Sequence, residues 1–155
     1  MELSMMLDHS ADPRRAADAA AGLEAPGLGP ANVRMTAEIA IGEDAAAVRD
    51  LARPQIALYV GGMGAVGKNF CNDLAVACGY GDEARKIQEL YLSGRKRDAA
   101  AAVPDELCEL TTPCGPEGYV RERVEALRAA GVTMLNVTPV GPDPARLVTT
   151  VKNWL

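Results

Sequence analysis

Between residues 117 and 154 the chain runs helix, glycine, strand, helix, and that order limits the fold more than any other feature of the sequence. Residues 117–130 set Val120, Val124 and Leu127 at helical spacing, and Gly131 stops the pattern. The run 132–140, VTMLNVTPV, is the best strand in the chain, and 143–154 closes with a helix carrying Leu147, Val148 and Val151. The order repeats upstream. Residues 33–41 alternate by two, with Val33, Met35, Ala37, Ile39 and Ile41 on one side; Gly42, Glu43 and Asp44 then turn into a helix over 44–52, where Pro54 marks a kink or boundary. Strands returned through helices must lie parallel, which predicts an α/β fold.

The remaining segments fit that plan. Residues 2–7 read as a strand, and 13–24 as a helix with Asp12 at its cap and Pro13 at its first position. Two prolines and two glycines over 26–30 form a turn. Residues 82–92 form an amphipathic helix with Ile87, Leu90 and Tyr91 on one face, 97–103 an alanine-rich helix, 104–107 a helical turn and 108–113 a short extended piece. The apolar run 56–60 fits a buried strand or the second half of a helix equally well.

Composition excludes several classes. With 155 residues, 48% hydrophobic, the chain is long enough for one domain with a core, and one domain, 1–155, is the expectation. A net charge of -5 argues against nucleic acid as a partner, since Arg95, Lys96 and Arg97 form the only dense basic patch. The four cysteines contain no C-x-x-C pair and His9 is far from them, so no zinc site is expected. Cys71 and Cys78, seven apart, read as small core residues on one helix face. No apolar run reaches the length of a membrane span, which predicts a soluble, cytoplasmic protein with reduced thiols and no membrane partner.

Residues 54–81 carry a glycine cluster that spells two phosphate motifs. Gly62, Gly64 and Gly67 give G-x-G-x-x-G, but the acids at the right distance, Asp82 and Glu83, begin a helix where a dinucleotide fold needs a strand end. Gly62 with Gly67 and Lys68 approaches a P-loop, but Asn69 stands where a hydroxyl should hold magnesium. A nucleotide binder at Gly62–Lys68 is kept as an alternative.

A third reading rests on resemblance. The segments ALYVGGMGAVGKNFCNDLAVACGYG, IQELYLSGRKRDAAAAVPDEL and GPEGYVRERVEALRAAGVTMLNVTP together are similar to the C-terminal third of luciferase-like, coenzyme F420-dependent oxidoreductases, and the likeness runs over 33–155. LSMMLDHS, within 1–28, resembles the same family's first strand, so that 27–32 joins the first βα unit to the last units. The resemblance implies a (β/α)8 TIM-barrel-like fold, here partial. At 155 residues the chain is well short of the roughly 250 that eight units take, so three or four mainly parallel strands are expected.

The activity implied is hydride transfer between the deazaflavin F420, with FMN as the alternative cofactor, and a small organic substrate. The positions that the resemblance assigns to the pocket wall are His9, Ser10, Gly61, Gly62, Met63 and Gly64. A barrel with units missing leaves strand edges open, so a non-catalytic remnant or a self-associating interaction module, with a homo-oligomer completing the barrel, is the competing reading.

Overall fold

The computed structural model describes residues 34–154. Strand β1, Arg34–Ile41, alternates as expected, with Ala37 and Ile39 fully buried. It pairs in parallel with β3, Met134–Pro139, from Arg34↔Met134 to Ile39↔Pro139, and with the two-residue β2, Cys114–Gly115, at Ala40 and Ile41. The strand order is β2-β1-β3.

Helices fill the connections. Between β1 and β2 lie α1 (Ala45–Ala57), a π-helical turn (Leu58–Gly62), α2 (Phe70–Ala77), α3 (Gly81–Leu92), α4 (Lys96–Ala101) and α5 (Asp105–Thr111). Helix α6 (Glu117–Ala129) leads from β2 to β3, and α7 (Pro144–Lys152) follows. Three parallel strands and seven α-helices among the described residues make a mixed α/β, partial (β/α)8-like arrangement. β1 lies in the middle, so the order is not the consecutive one of a complete barrel.

Two apolar clusters meet β1 from opposite sides. Ala37 and Ile39 pack with Val120 and Val124 of α6 and Leu147 and Val151 of α7. Ala40, of opposite parity and therefore on the other face, packs with Cys114 and with Ala52, Ile56 and Leu107 from α1 and α5. Helices thus cover one face along its length and the other only near the carboxyl end of the strands. An ionic clamp adds to the second cluster: Arg53 donates to the Val103 carbonyl and to Asp105, and Arg49 pairs with Asp105 and Glu109.

Four expectations change. Pro54 sits inside α1, which runs on to Ala57, because Ala52, Ile56 and Val60 at i, i+4 and i+8 bury one continuous stripe that outweighs the lost hydrogen bond. The ambiguous run 56–60 is therefore helical. Residues 108–113 are mostly helix, with Thr111 and Thr112 returning their hydroxyls to the Leu107 and Cys108 carbonyls, and the strand begins only at Cys114. Cys78 is exposed whereas Cys71 is buried, since α2 ends at Ala77 and leaves Cys78 beyond the last turn. The strand and helix expected over 2–7 and 13–24 lie outside the described residues.

Candidate functional site

Parallel strands bring their carboxyl ends to one side, and both closed barrels and open α/β sheets hold ligands there. In this chain a cleft of about 270 Å³ opens at the carboxyl ends of β1 and β3, against the starts of α6 and α7. Its walls include Ile41, Glu117, Val140, Gly141, Asp143 and Arg146. Val140 is held to β1 by its amide, which donates to the Ile39 carbonyl at 2.9 Å.

Gly141 has φ 128°, a conformation open mainly to glycine, and a Cβ there would meet nothing within 4 Å. The cleft mouth is therefore open at its glycine. Asp143 is committed to α7: its carboxylate accepts from the Arg146 amide at 3.0 Å, and Pro144 occupies the first turn. That leaves the Arg146 guanidinium and the Glu117 carboxylate as the charged side chains of a wall of mixed character, to which Thr150 adds a hydroxyl. Among the described residues, no histidine, cysteine or serine lines this cleft. Such a wall can orient a small polar molecule.

The glycine cluster lies elsewhere. A Cβ on Gly61 would come within 2.7 Å of Tyr91 Cβ, one on Gly62 within 2.4 Å of the Tyr91 ring, and one on Gly64 within 2.3 Å of the Lys68 carbonyl oxygen. Gly61 and Gly62 let the π-helical turn press against α3, and Gly64 lets the loop after it fold back on Lys68. Met63 is exposed, and none of the four lines the cleft. His9 and Ser10 lie outside the described residues.

The same geometry disposes of the phosphate motifs. The 62–68 loop leaves a helix, not a strand, so the setting of a P-loop is missing. Asn69 is buried and fully used: its amide nitrogen donates to the Tyr59 and Val60 carbonyls at 3.1 and 2.9 Å, and its oxygen accepts from the Cys71 and Asn72 amides. It caps α2 and ties that helix to the π-helical turn.

Burial shifts several titratable groups on and beside the sheet. Burial pushes the Glu38 carboxyl on β1 up to about 7, and burial pushes the Cys108 thiol up to about 11. Cys114 and Cys71 are raised as well, chiefly by burial, which keeps all three buried thiols protonated and unreactive near neutrality. Neither Glu38 nor the 140–146 wall was singled out by sequence reasoning. A glutamate in an alternating strand looks solvated, while Asp143 before Pro144 signals a helix start and says nothing of a cleft beside it.

Comparison with known proteins accords with the parallel α/β arrangement. Residues 4–134 match the luciferase-like monooxygenase family. The chain is 39% identical over 111 residues to a Mycobacterium tuberculosis protein whose name gives it, provisionally, as a coenzyme F420-dependent oxidoreductase. That stretch is 72% of this chain but 32% of the relative, so the chain matches about a third of the relative's length. No helix among the described residues is long and apolar enough to cross a membrane. With most of its length matched, the chain belongs to the luciferase-like monooxygenase family.

Proposed function

We propose that this chain is an F420-dependent oxidoreductase that binds its coenzyme at the carboxyl ends of its parallel strands. The observation that carries the reading is the 39% identity to a relative named for that coenzyme, within a family match over residues 4–134. When bound, the deazaflavin supplies hydride transfer to or from an organic substrate, and the protein's share is to bind, orient and exclude water.

The described residues suit one end of such a ligand. At about 270 Å³ the cleft is just below the roughly 300–1,000 Å³ of complete small-molecule sites. Arg146 would meet an acidic tail, Gly141 would admit close approach of the backbone, and Ile41 with Val140 would exclude water from one side.

Fluorescence titration of the purified chain with F420, and in parallel with FMN, tests the reading. Saturable F420 binding, weakened roughly tenfold in Arg146→Ala, is expected from loss of a charge-assisted contact. No saturable binding of either cofactor would overturn it.

A second reading has its own support. Met63, Val66 and Phe70 are exposed apolar residues within eight positions of one another, which favours self-association. Light scattering should then give a mass above 16.3 kDa that falls to the monomer in Val66→Ser/Phe70→Ser. A monomeric parent chain would end this reading.

A further inference from the structure

The loop between the π-helical turn and α2 presents apolar side chains to solvent on a pinned backbone. Met63, Val66 and Phe70 are 54%, 75% and 53% exposed. The Lys68 amide donates to the Ala65 carbonyl at 2.9 Å, Gly64 closes against the Lys68 backbone, and buried Asn69 grips the Tyr59 and Val60 carbonyls. Leu92 extends the patch. The Gln88 side-chain amide donates to the Gly64 carbonyl at 3.5 Å, and Leu92, 52% exposed, stands one turn further along the same side of α3.

Cations accompany this patch. No acid occurs between Asp50 and Asp73, in a chain with 21 acids among 155 residues, and the loop contributes Lys68. The Lys96 ammonium stands 5.4 Å from the centre of the Tyr91 ring, which itself lies against Gly62, so a second cation borders the loop. Arg95 and Arg97 flank Lys96 and are exposed with it. Among the described residues none of these four is in an ion pair, whereas Arg49, Arg53, Arg85 and Arg121 are. Asp73, Glu89 and Asp98 are the exposed acids of the adjoining helices, so the local balance is positive in a chain whose net charge is -5.

An apolar surface edged with cations fits an anionic, partly apolar partner. A bound peptide needs a groove or a strand edge, and these residues line neither the cleft beside Arg146 nor the hollow along Val124, Leu127 and Leu135. Nucleic acid would use the cations and leave Met63, Val66 and Leu92 in water. We propose that the 63–70 loop, with Leu92, rests on the surface of an anionic lipid bilayer, Val66 and Phe70 entering the acyl boundary while Lys68 and Lys96 meet lipid phosphates. No helix among the described residues can cross a membrane, and an interfacial contact needs no crossing. The loop lies apart from the cleft, so this contact is independent of the coenzyme reading; it competes with self-association for the same side chains.

Co-sedimentation of the whole chain with vesicles tests it. The probe is phosphatidylcholine vesicles containing about one-third phosphatidylglycerol, with pure phosphatidylcholine vesicles as the reference. The chain should bind the anionic vesicles at least tenfold more tightly than the neutral ones, and added salt should release it. Val66→Ser/Phe70→Ser should lower the affinity at least tenfold, the loss expected when such side chains no longer leave water. Lys68→Gln and Lys96→Gln should each lower it roughly fivefold on anionic vesicles alone. All four side chains are exposed, so these variants should melt with the parent chain. No pelleting, equal affinity for the two kinds of vesicle, or parental binding by Val66→Ser/Phe70→Ser would overturn the proposal. So would a chain that ignores vesicles but loses a dimeric mass in Val66→Ser/Phe70→Ser, since the loop would then belong to a second copy.

Discussion

Gly61 and Gly118 differ in what lies where a side chain would begin. At Gly61 an added methyl meets Tyr91 Cβ and the Ile87 carbonyl oxygen, neither of which can swing aside, whereas at Gly118 it meets nothing within 4 Å. Gly61→Ala should therefore cost about 2 kcal/mol in urea denaturation, the range of an overpacked core. Gly118→Ala, in the first turn of α6, should gain about 0.5 kcal/mol by restricting the unfolded chain. Equal effects at the two positions would contradict the packing described. Glu38 gives a residue-scale prediction of another kind. Its folded value, about 7, lies above its ordinary 4.5, so its contribution is present in full below pH 4.5 and is lost as pH rises through 7. Replacing it by glutamine removes that loss. Because the carboxyl is only part-buried and screened by solvent, Glu38→Gln should exceed the parent chain by about 1 kcal/mol at pH 8 and match it at pH 4. Thermal melts across that range check it, and a pH-independent difference would count against the burial of Glu38.

Asn69 shows how one side chain organises an element. It closes the amino end of α2 with its oxygen and grips the π-helical turn with its nitrogen. Asn69→Ala should cost about 2–3 kcal/mol, a lost cap together with orphaned buried groups. Asn69→Asp keeps the cap but sets a carboxylate against two carbonyls, so it should rescue little of the loss; full recovery in Asp would assign all of the effect to capping. Elements with strong local signals were legible in the sequence. Helix α6 and strand β1 are visible from spacing alone, as are the acidic start of α1 and the glycine after α6. What misled is tertiary in origin. Pro54 looks like a stop until the buried stripe Ala52, Ile56 and Val60 is seen to run past it. The 108–113 run looks extended because its threonines favour strands, yet both threonine hydroxyls bond back to carbonyls four residues earlier in a helix.

For the whole molecule, the class of fold was legible because repeated helix, glycine and strand signals permit little besides parallel α/β. The family was legible from long matching segments. The order β2-β1-β3 was not, since no local pattern states which strands become neighbours. The site was legible only in part. Gly61 and Gly62 were noticed as glycines, but a sequence does not say whether a missing side chain makes room for a ligand or for Tyr91. The cleft at 140–146 depends on strands one hundred residues apart ending side by side, which becomes visible only once the register is known.

The middle strand is where both apolar clusters are anchored, one to Ala37 and Ile39 and the other to Ala40, within the same eight residues. Neither half can come apart alone without exposing a flank of β1, so local opening and global unfolding should converge there. Hydrogen–deuterium exchange should accordingly find the slowest amides of the chain between residues 36 and 40, released together at the free energy of complete unfolding, while α2 and α7 exchange through smaller openings. Early exchange along β1 would mean two separately melting halves instead of one cooperative unit.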